Sequence, residues 1–472
     1  MTRHVVVVGA GITGLTAAYV LGRGEPRPRI TLVERRDRVG GNIETERREG
    51  FLLDGGPDSF LSTKREGAEL CRELGLGDHL IVPRPEAKKV YMVHRGRLEP
   101  MPGGLALAIP TQIGPMLSTP LVSFPGKLRM LGDLVLPRRH GDGDESIEDF
   151  IARRFGREAA RSLAAPLLGG IYAGDIGELS IRSTFPQLVE VEKKHGSLAK
   201  GLLALQLARQ KQNGSGPKKG GDAPSPFMSL TGGMGELVAA LLKRIPAEAL
   251  KLGRSALRVE PSGGAYRVRL DGDEVLDADA VIFASPAHAT AQMLPDPRIT
   301  AELGAIPYLS TATVFFAFPR AGLERPLDGV GFVAPKGEAE LIAGTWVSSK
   351  WDGRAPDDHV LMRAFLGGAR AKVDVAKASD EQLASVAQRA LEQLMGRLGT
   401  PTFTRIFRYI DANPQPIVGH AARMQRVEAR LRELPGLYLA GAAYDGVGIP
   451  DCVRQARSVV ERVWRERLGS SA

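Results

Sequence analysis

A strand that runs into glycines and opens directly into a helix decides much of what this chain can become. Val5 to Val8 are an uninterrupted β-branched run, Gly9-Ala10-Gly11-Ile12-Thr13-Gly14 follows, and a helix reads from Leu15 to about Leu21. Ile30 to Val33 form a second apolar strand, which Glu34 ends. Gly9 permits the turn, Gly11 lets the backbone approach a pyrophosphate, and Gly14 lets helix and strand pack closely, while the helix start turns its N–H groups to the phosphates. Glu34 stands at the interval where a carboxylate accepts hydrogen bonds from an adenosine ribose. An isolated GxGxxG says little. With strand, helix and acid in agreement, the stretch predicts a dinucleotide site formed by Gly9, Ala10, Gly11, Ile12, Thr13, Gly14, Glu34 and Arg35.

Glycine recurs where one extended ligand would need it. Gly40-Gly41, and Gly55-Gly56-Pro57-Asp58-Ser59 after the apolar Phe51 to Leu53, offer two further close approaches of backbone. A compact nicotinamide site does not need them, so FAD is favoured. Near the C-terminus Leu437 to Ala442 reads as a strand, and Gly446-Val447-Gly448-Ile449-Pro450 opens a helix to Trp464, with Pro450 where a helix start tolerates it. Such a start can hold the negative charge of a reduced flavin, which brings both ends of the chain to one cofactor. Asp279 to Phe283 reads as a buried parallel strand, so the dinucleotide domain resumes after a long excursion.

At 472 residues the chain exceeds one core, and two or three domains are expected. Lys+Arg 63 against Asp+Glu 54 leaves +9, a balance suited to an anionic ligand or an acidic membrane surface. No Lys/Arg block or aromatic-basic ladder accompanies it, so no nucleic acid partner is expected. Cys71 and Cys452 make neither a CxxC nor a metal spacing; no disulfide framework and no metal are expected, and Cys71 reads as small apolar filler. The first strand begins directly after Met1-Thr2-Arg3-His4 and no apolar run of ~20 residues occurs, so a cytoplasmic chain without leader or spanning helix is expected.

Between these stretches the character changes. Leu105, Leu107, Ile109, Ile113, Met116, Leu117, Leu121 and Phe124 are interrupted by Pro110, Pro115, Pro120 and Pro125 and followed by Lys127, Arg129, Arg138 and Arg139. Prolines at that density break any continuous helix. Two readings stand here: a segment at a membrane interface, apolar side down with its cations at the headgroups, or a lid over an apolar cavity. Ser146 caps a helix to Phe155. Gly169-Gly170-Ile171-Tyr172-Ala173-Gly174-Asp175 places backbone, an aromatic ring and a carboxylate near each other. Residues 210 to 226 read as a flexible loop.

Ala312 to Phe318, Gly331 to Val333, Leu341 to Val347 and Val360 to Leu366 alternate as strands of a half-buried sheet. Phe332 and Phe365 on them are pocket aromatics or core. Lys88 and Lys89, at the start of the strand through Val93, are candidates to meet substrate carboxylates, or merely edge lysines. No HExxH, GxSxG or GK[ST] motif occurs. A single dinucleotide fingerprint, without a second for nicotinamide, sends electrons to oxygen or a quinone.

Together these residues resemble the FAD-dependent porphyrinogen oxidases of haem synthesis, within the amine-oxidase-like flavoproteins, nearly end to end. The broad part of the likeness is Gly9 to Gly14, Glu34 and Gly40-Gly41. The specific part is Gly56-Pro57-Asp58-Ser59-Phe60, Gly170-Ile171-Tyr172-Ala173-Gly174-Asp175, Leu179-Ser180 with Thr184-Phe185-Pro186, and Gly446-Val447-Gly448-Ile449-Pro450-Asp451-Cys452. The resemblance implies an α/β fold with a discontinuous Rossmann-like FAD-binding domain (1–85, 228–295, 405–472), an α+β substrate domain (86–102, 186–227, 296–404) and a small helical domain (103–185) that associates peripherally with membrane. It implies FAD held by Gly9 to Gly14, Glu34, Gly40, Gly41, Gly56, Pro57, Asp58, Ser59, the backbone of Val259, and Val447, Gly448 and Ile449.

It further implies stepwise two-electron oxidation of a porphyrinogen to a porphyrin, with molecular oxygen reduced to peroxide and the product handed to a downstream haem-pathway enzyme. The Gly170 carbonyl would be the catalytic element facing the reacting carbon, with Tyr172, Asp175, Phe332 and Phe365 beside the macrocycle. Pro100-Met101-Pro102-Gly103-Gly104, Ile109-Pro110-Thr111 and Gly448-Ile449-Pro450 resemble the Gram-positive type acting on coproporphyrinogen III. Val90 stands where enzymes acting on protoporphyrinogen IX usually carry an arginine, so a bidentate carboxylate contact is missing. Ala442 stands where related flavoproteins often carry an acid. The alternatives are protoporphyrinogen IX as substrate, an amine oxidase using Tyr409 and Tyr444 as its aromatic pair, and a non-catalytic flavin-binding haem-assembly factor.

Overall fold

In a computed structural model of the chain, whose described residues are 2–139, 141–212 and 225–469, Val5 to Val8 lie at the centre of a five-stranded sheet. Its order is Leu250–Leu252, Arg29–Glu34, His4–Val8, Ala280–Phe283, Leu437–Leu439, and every neighbouring pair is parallel. A central parallel strand is covered on both faces, which is why it reads as a continuous apolar run rather than an alternation; all five of its residues are buried.

The helix Ile12–Leu21 follows the first strand, and the helix Ile449–Val463 shares a core with it through Leu15, Ala18, Val453, Ala456 and Val460. This first unit is assembled from the stretch up to Val82, from Pro226–Pro307 and from His420 onward. The sequence predicts its last return at 405. The strand Phe403–Pro414 instead pairs with Tyr308–Pro319 in the second unit, so the return falls at His420. Alternation identifies a strand but does not name its partner.

The second unit, Pro83–Ser225 with Tyr308–Gly419, holds a seven-stranded sheet. Its order is Phe403–Pro414, Tyr308–Pro319, His359–Gly367, Ala343–Trp346, Gly329–Val333, Lys89–His94, Arg97–Pro100. All pairs are antiparallel except Gly329–Val333 beside Lys89–His94. The helix Asp380–Met395 covers one face, burying Leu383, Ala387 and Leu391 with Val314, Phe316, Met362 and Ala364. Its start is set by a reciprocal pair of hydrogen bonds between Ser379 and Gln382.

Helices complete this unit. The proline-broken segment forms a hairpin, Leu105–Ala106 with Ile109–Pro110, and two short helices, Ile113–Ser118 and Phe124–Leu131. Ser146 caps Ile147–Phe155 by accepting the Asp149 N–H at 3.0 Å. Ala160–Gly169 is wound as a π-helix around Pro166, which has no N–H to give to an α-helical ladder. The fully buried Arg154 is matched by Asp133, also fully buried, at 2.6 Å and by the carbonyls of Asp133, Pro137 and Gly196, so the buried cation has counter-charge and acceptors. The helix Leu198–Gln212 enters the predicted 210–226 loop, most of which lies outside the described residues. Among the described residues no helix is long and apolar enough to cross a membrane.

Candidate active site

The first unit presents a glycine-lined cradle. Gly11 is the N-cap of Ile12–Leu21, with no side chain capping it and no acid in the first turn. The first bond inside the helix is from the Leu15 N–H to the Gly11 carbonyl, 2.9 Å. The N–H groups of Ile12, Thr13 and Gly14 therefore have no intrahelical acceptor and make an end ready for an anion. The Gly40 N–H donates to the Ala10 carbonyl at 2.8 Å and joins the two glycine stretches.

The glycines of the turn are needed for different reasons. Gly9 has φ +104, and a Cβ on Gly14 would lie 1.8 Å from the Gly9 carbonyl oxygen, so the protein's own packing demands both. A Cβ on Gly11 would meet nothing nearer than the Gly41 Cα at 3.9 Å. A glycine that the chain itself does not require, set at an uncapped helix start, leaves room for a ligand to lie against the backbone. That fits the pyrophosphate of FAD.

The other predicted cofactor residues surround this cradle or are set within the same unit. The two carboxylate oxygens of Glu34 accept the N–H of Ala10 (2.8 Å) and of Arg36 (3.0 Å). About two of the four acceptor positions of a carboxylate stay available for ribose hydroxyls. Arg35 is exposed. Its neighbour Arg36, which sequence reasoning missed, reaches the Gly41 carbonyl at 3.2 Å. Gly56 to Ser59 are half-buried; Ser59 bonds Asp58, and the Asp58 carbonyl accepts the Ser229 hydroxyl at 2.6 Å. Val259 is fully buried in the strand Ala256–Ser262.

At the far end of the chain, Gly448 caps Ile449–Val463 without a side-chain bond, and Asp451 sits in the first turn. A carboxylate there opposes the binding of another negative charge at the helix start. Lys64 neutralises it, with Nζ at 2.6 and 2.7 Å from the two Asp451 oxygens. The pair spans 387 residues, and no local pattern could have found it. Burial pushes the Cys452 thiol up to about 11 and the Cys71 thiol up to about 12. Neither is a thiolate near neutrality, which speaks against a cysteine-linked cofactor. The Tyr444 hydroxyl, offered above for an amine oxidase pair, is buried against Thr290 at 3.3 Å.

The second unit contains a small cleft lined by Ala165, Pro166, Gly169, Gly170, Ala173, Gly174, Ala334, Ile342 and Gly367. Its free volume of about 10 Å³ is room for about one water, so a large flat ligand would meet it at its mouth rather than fill it. Gly170 lies at its wall with open space within 4 Å of any added Cβ. Its carbonyl accepts the Ala173 N–H at 3.3 Å and keeps a lone pair for a ligand.

The predicted substrate residues separate into groups. Asp175 directly follows the cleft wall and pairs with Lys336 at 3.6 Å. Phe365 is half-buried beneath the Arg363 guanidinium, 4.3 Å from its ring centroid. Tyr172 is a buried packing residue, edge-on to Phe185, and its carbonyl accepts the Gln415 amide at 2.9 Å. Lys88 is exposed, and Lys89 pairs with Asp328 at 2.7 Å; neither lines the cleft.

Of the two places open to Phe332, pocket or core, it takes the core. It joins Tyr91 and Trp346 there, next to a bulge between Gly329 and Gly331, its ring filling the space that Gly344 leaves.

The chain belongs to the family described as flavin containing amine oxidoreductase, whose model matches residues 12–464. The fold is that of these flavoproteins, and the chain is an FAD-dependent oxidoreductase. The coproporphyrinogen III oxidase of Bacillus subtilis (strain 168) is 36% identical to it, over 97% of this chain and 97% of that protein. The coproporphyrinogen III oxidase of Propionibacterium freudenreichii subsp. freudenreichii is 37% identical, over 98% and 90%. A solved structure from Exiguobacterium sp. 255-15, provisionally named a protoporphyrinogen oxidase, superimposes with a TM-score of 0.86 at 34% identity, covering 99% of each chain.

Proposed function

We propose that the chain oxidises coproporphyrinogen III to coproporphyrin III, passing the electrons to oxygen in successive two-electron steps that each yield peroxide. The observation that carries this is full-length similarity to coproporphyrinogen III oxidases combined with a narrow cleft walled by Gly170. FAD, when bound, supplies the two-electron acceptor. The residues at 9–14, 34, 40–41, 56–59, 259 and 447–449 hold it, and the uncapped start of Ile449–Val463 offsets negative charge. The chain's own part in the reaction is positioning: small residues let the macrocycle edge approach the mouth of the cleft, the Gly170 carbonyl meets the reacting carbon, and Phe365 packs on the ring. The half-buried Val90 supports coproporphyrinogen over protoporphyrinogen, because no guanidinium waits at that strand position.

The reading is tested on purified protein by quantifying bound flavin and following porphyrin fluorescence with coproporphyrinogen III and protoporphyrinogen IX in parallel. A yellow protein that turns over the first more efficiently is expected. Equal or greater efficiency on protoporphyrinogen IX, in line with the Exiguobacterium relative's provisional name, overturns the substrate choice. A flavin-loaded protein that oxidises neither points to a haem-assembly factor.

The helical segment at 103–137 suits peripheral membrane contact, and a product that stays near that surface suits hand-over to a following haem-pathway enzyme. Phe124, Leu128 and Leu131 recur at i, i+4 and i+7 on one helix face, and Phe124 is 70% exposed. Leu117 and Val135 beside them are 62% and 83% exposed, with Lys127, Arg138 and Lys200 nearby in the chain's helical part. Exposed apolar groups of that size accompanied by cations match an interface with anionic lipid. Cosedimentation with phosphatidylglycerol vesicles is expected, and Phe124→Asp is expected to weaken it about 10-fold or more, since burying one such ring contributes ~1.5–3 kcal/mol. If the unsubstituted protein ignores the vesicles, the segment is a lid.

A further inference from the structure

Two charged side chains stand next to the lining of the Gly170 cleft in the chain. Asp175 follows the lining residue Gly174, and Lys336 lies two residues beyond the lining residue Ala334. Their ion pair, 3.6 Å between Nζ and Oδ2, joins these two stretches. The partners are unequally held. Asp175 is built into its turn: its Oδ1 accepts the Gly177 N–H at 2.9 Å, and its carbonyl accepts the N–H groups of Glu178 and Leu179. The Lys336 side chain is 70% exposed and ends a flexible four-carbon stem. An exposed pair of this length contributes little to stability, so the ammonium can change partner at small cost.

We propose that Lys336 is a specificity-determining cation that leaves Asp175 to bind a carboxylate arm of the substrate as the ring meets the mouth of the cleft. Asp175 holds the ammonium until a ligand carboxylate replaces it, and repels carboxylates that arrive where Lys336 does not reach. The cleft lining supplies no other charge, so a ligand whose arm at this position is a propionate gains from the exchange and one whose arm there is uncharged does not. The inference rests on the porphyrinogen reading above and names the contact by which four propionates would be preferred to two.

The test uses the flavin-loaded full chain and steady-state porphyrin fluorescence with coproporphyrinogen III and protoporphyrinogen IX. Lys336→Gln is expected to raise KM for coproporphyrinogen III about 10-fold, the loss of one charged hydrogen bond, with kcat nearly unchanged. The effect on protoporphyrinogen IX is expected to be smaller, and Lys336→Arg is expected to restore the original KM. Asp175→Asn, which frees the ammonium, is expected to lower KM for coproporphyrinogen III and to steepen its dependence on salt. An unchanged KM in Lys336→Gln, with the parent enzyme active, overturns the latch and leaves the functional reading standing. A KM that rises equally for both substrates, or together with a collapse of kcat and thermal stability, also overturns it, because a structural prop would behave so. A parent enzyme that oxidises neither porphyrinogen overturns both.

Discussion

Gly11→Ala is expected to give a folded chain that no longer retains FAD. The reason lies in what the added methyl meets. No protein atom stands closer to it than the Gly41 Cα at 3.9 Å, and Gly11 has ordinary extended backbone, φ −70 and ψ 180, which alanine adopts freely. An alanine N-cap in place of glycine costs the helix only about 0.5–1 kcal/mol. The methyl nevertheless occupies the surface against which a pyrophosphate must lie. Forcing one carbon into a packed contact costs about 1–3 kcal/mol, which predicts an FAD dissociation constant raised roughly 10- to 100-fold.

Flavin released on denaturation, counted per chain, measures the first effect, and the melting temperature of flavin-stripped protein measures the second. Gly14→Ala is the informative contrast. Its Cβ would lie 1.8 Å from the Gly9 carbonyl oxygen and 3.3 Å from the Ala284 Cβ, so strand and helix must separate and both readouts fall. Full flavin occupancy in Gly11→Ala would place the pyrophosphate elsewhere.

The contrast between these two glycines shows which parts of the molecule a linear reading can reach. The turn at 9–14 was legible because its strand, its helix and Glu34 lie within about thirty residues, and each local preference agrees with the fold around it. What stayed hidden depends on distant partners. Lys64 and Asp451 meet across 387 residues. Lys336 reaches Asp175 from a loop whose composition signals nothing, and Gln415 supports the Tyr172 carbonyl from 243 residues away. Which of pocket or core takes Phe332, and that the Tyr172 ring packs on Phe185, depend likewise on distant contacts. In each case the residue type was informative and its facing was not, because facing is decided by tertiary contacts that period and propensity do not encode.

Gly170→Ala is expected to abolish most turnover while leaving FAD content intact and the fold slightly more stable. Gly170 has φ −59 and ψ −34, within the helical region, and its added Cβ has open space within 4 Å, so the chain loses nothing by accepting alanine. Replacing glycine at such a compatible site stabilises by ~0.4–1 kcal/mol through the unfolded state. Gly170 also lines the cleft, however, and on the proposed reading a methyl there would hold the macrocycle edge away from the carbonyl. A displacement of about 1 Å in a reacting pair costs roughly 100-fold in rate, and kcat for coproporphyrinogen III is expected to fall by that order. Gly174→Ala separates this effect from mere disruption. Its Cβ would fall 2.3 Å from the Gln415 Oε1 and 2.9 Å from the Leu179 Cδ1, so activity and melting temperature should drop together. If Gly170→Ala instead melts higher and still turns over at the parental rate, the reacting carbon does not approach this wall, and the chemistry must be sought at another surface of the protein.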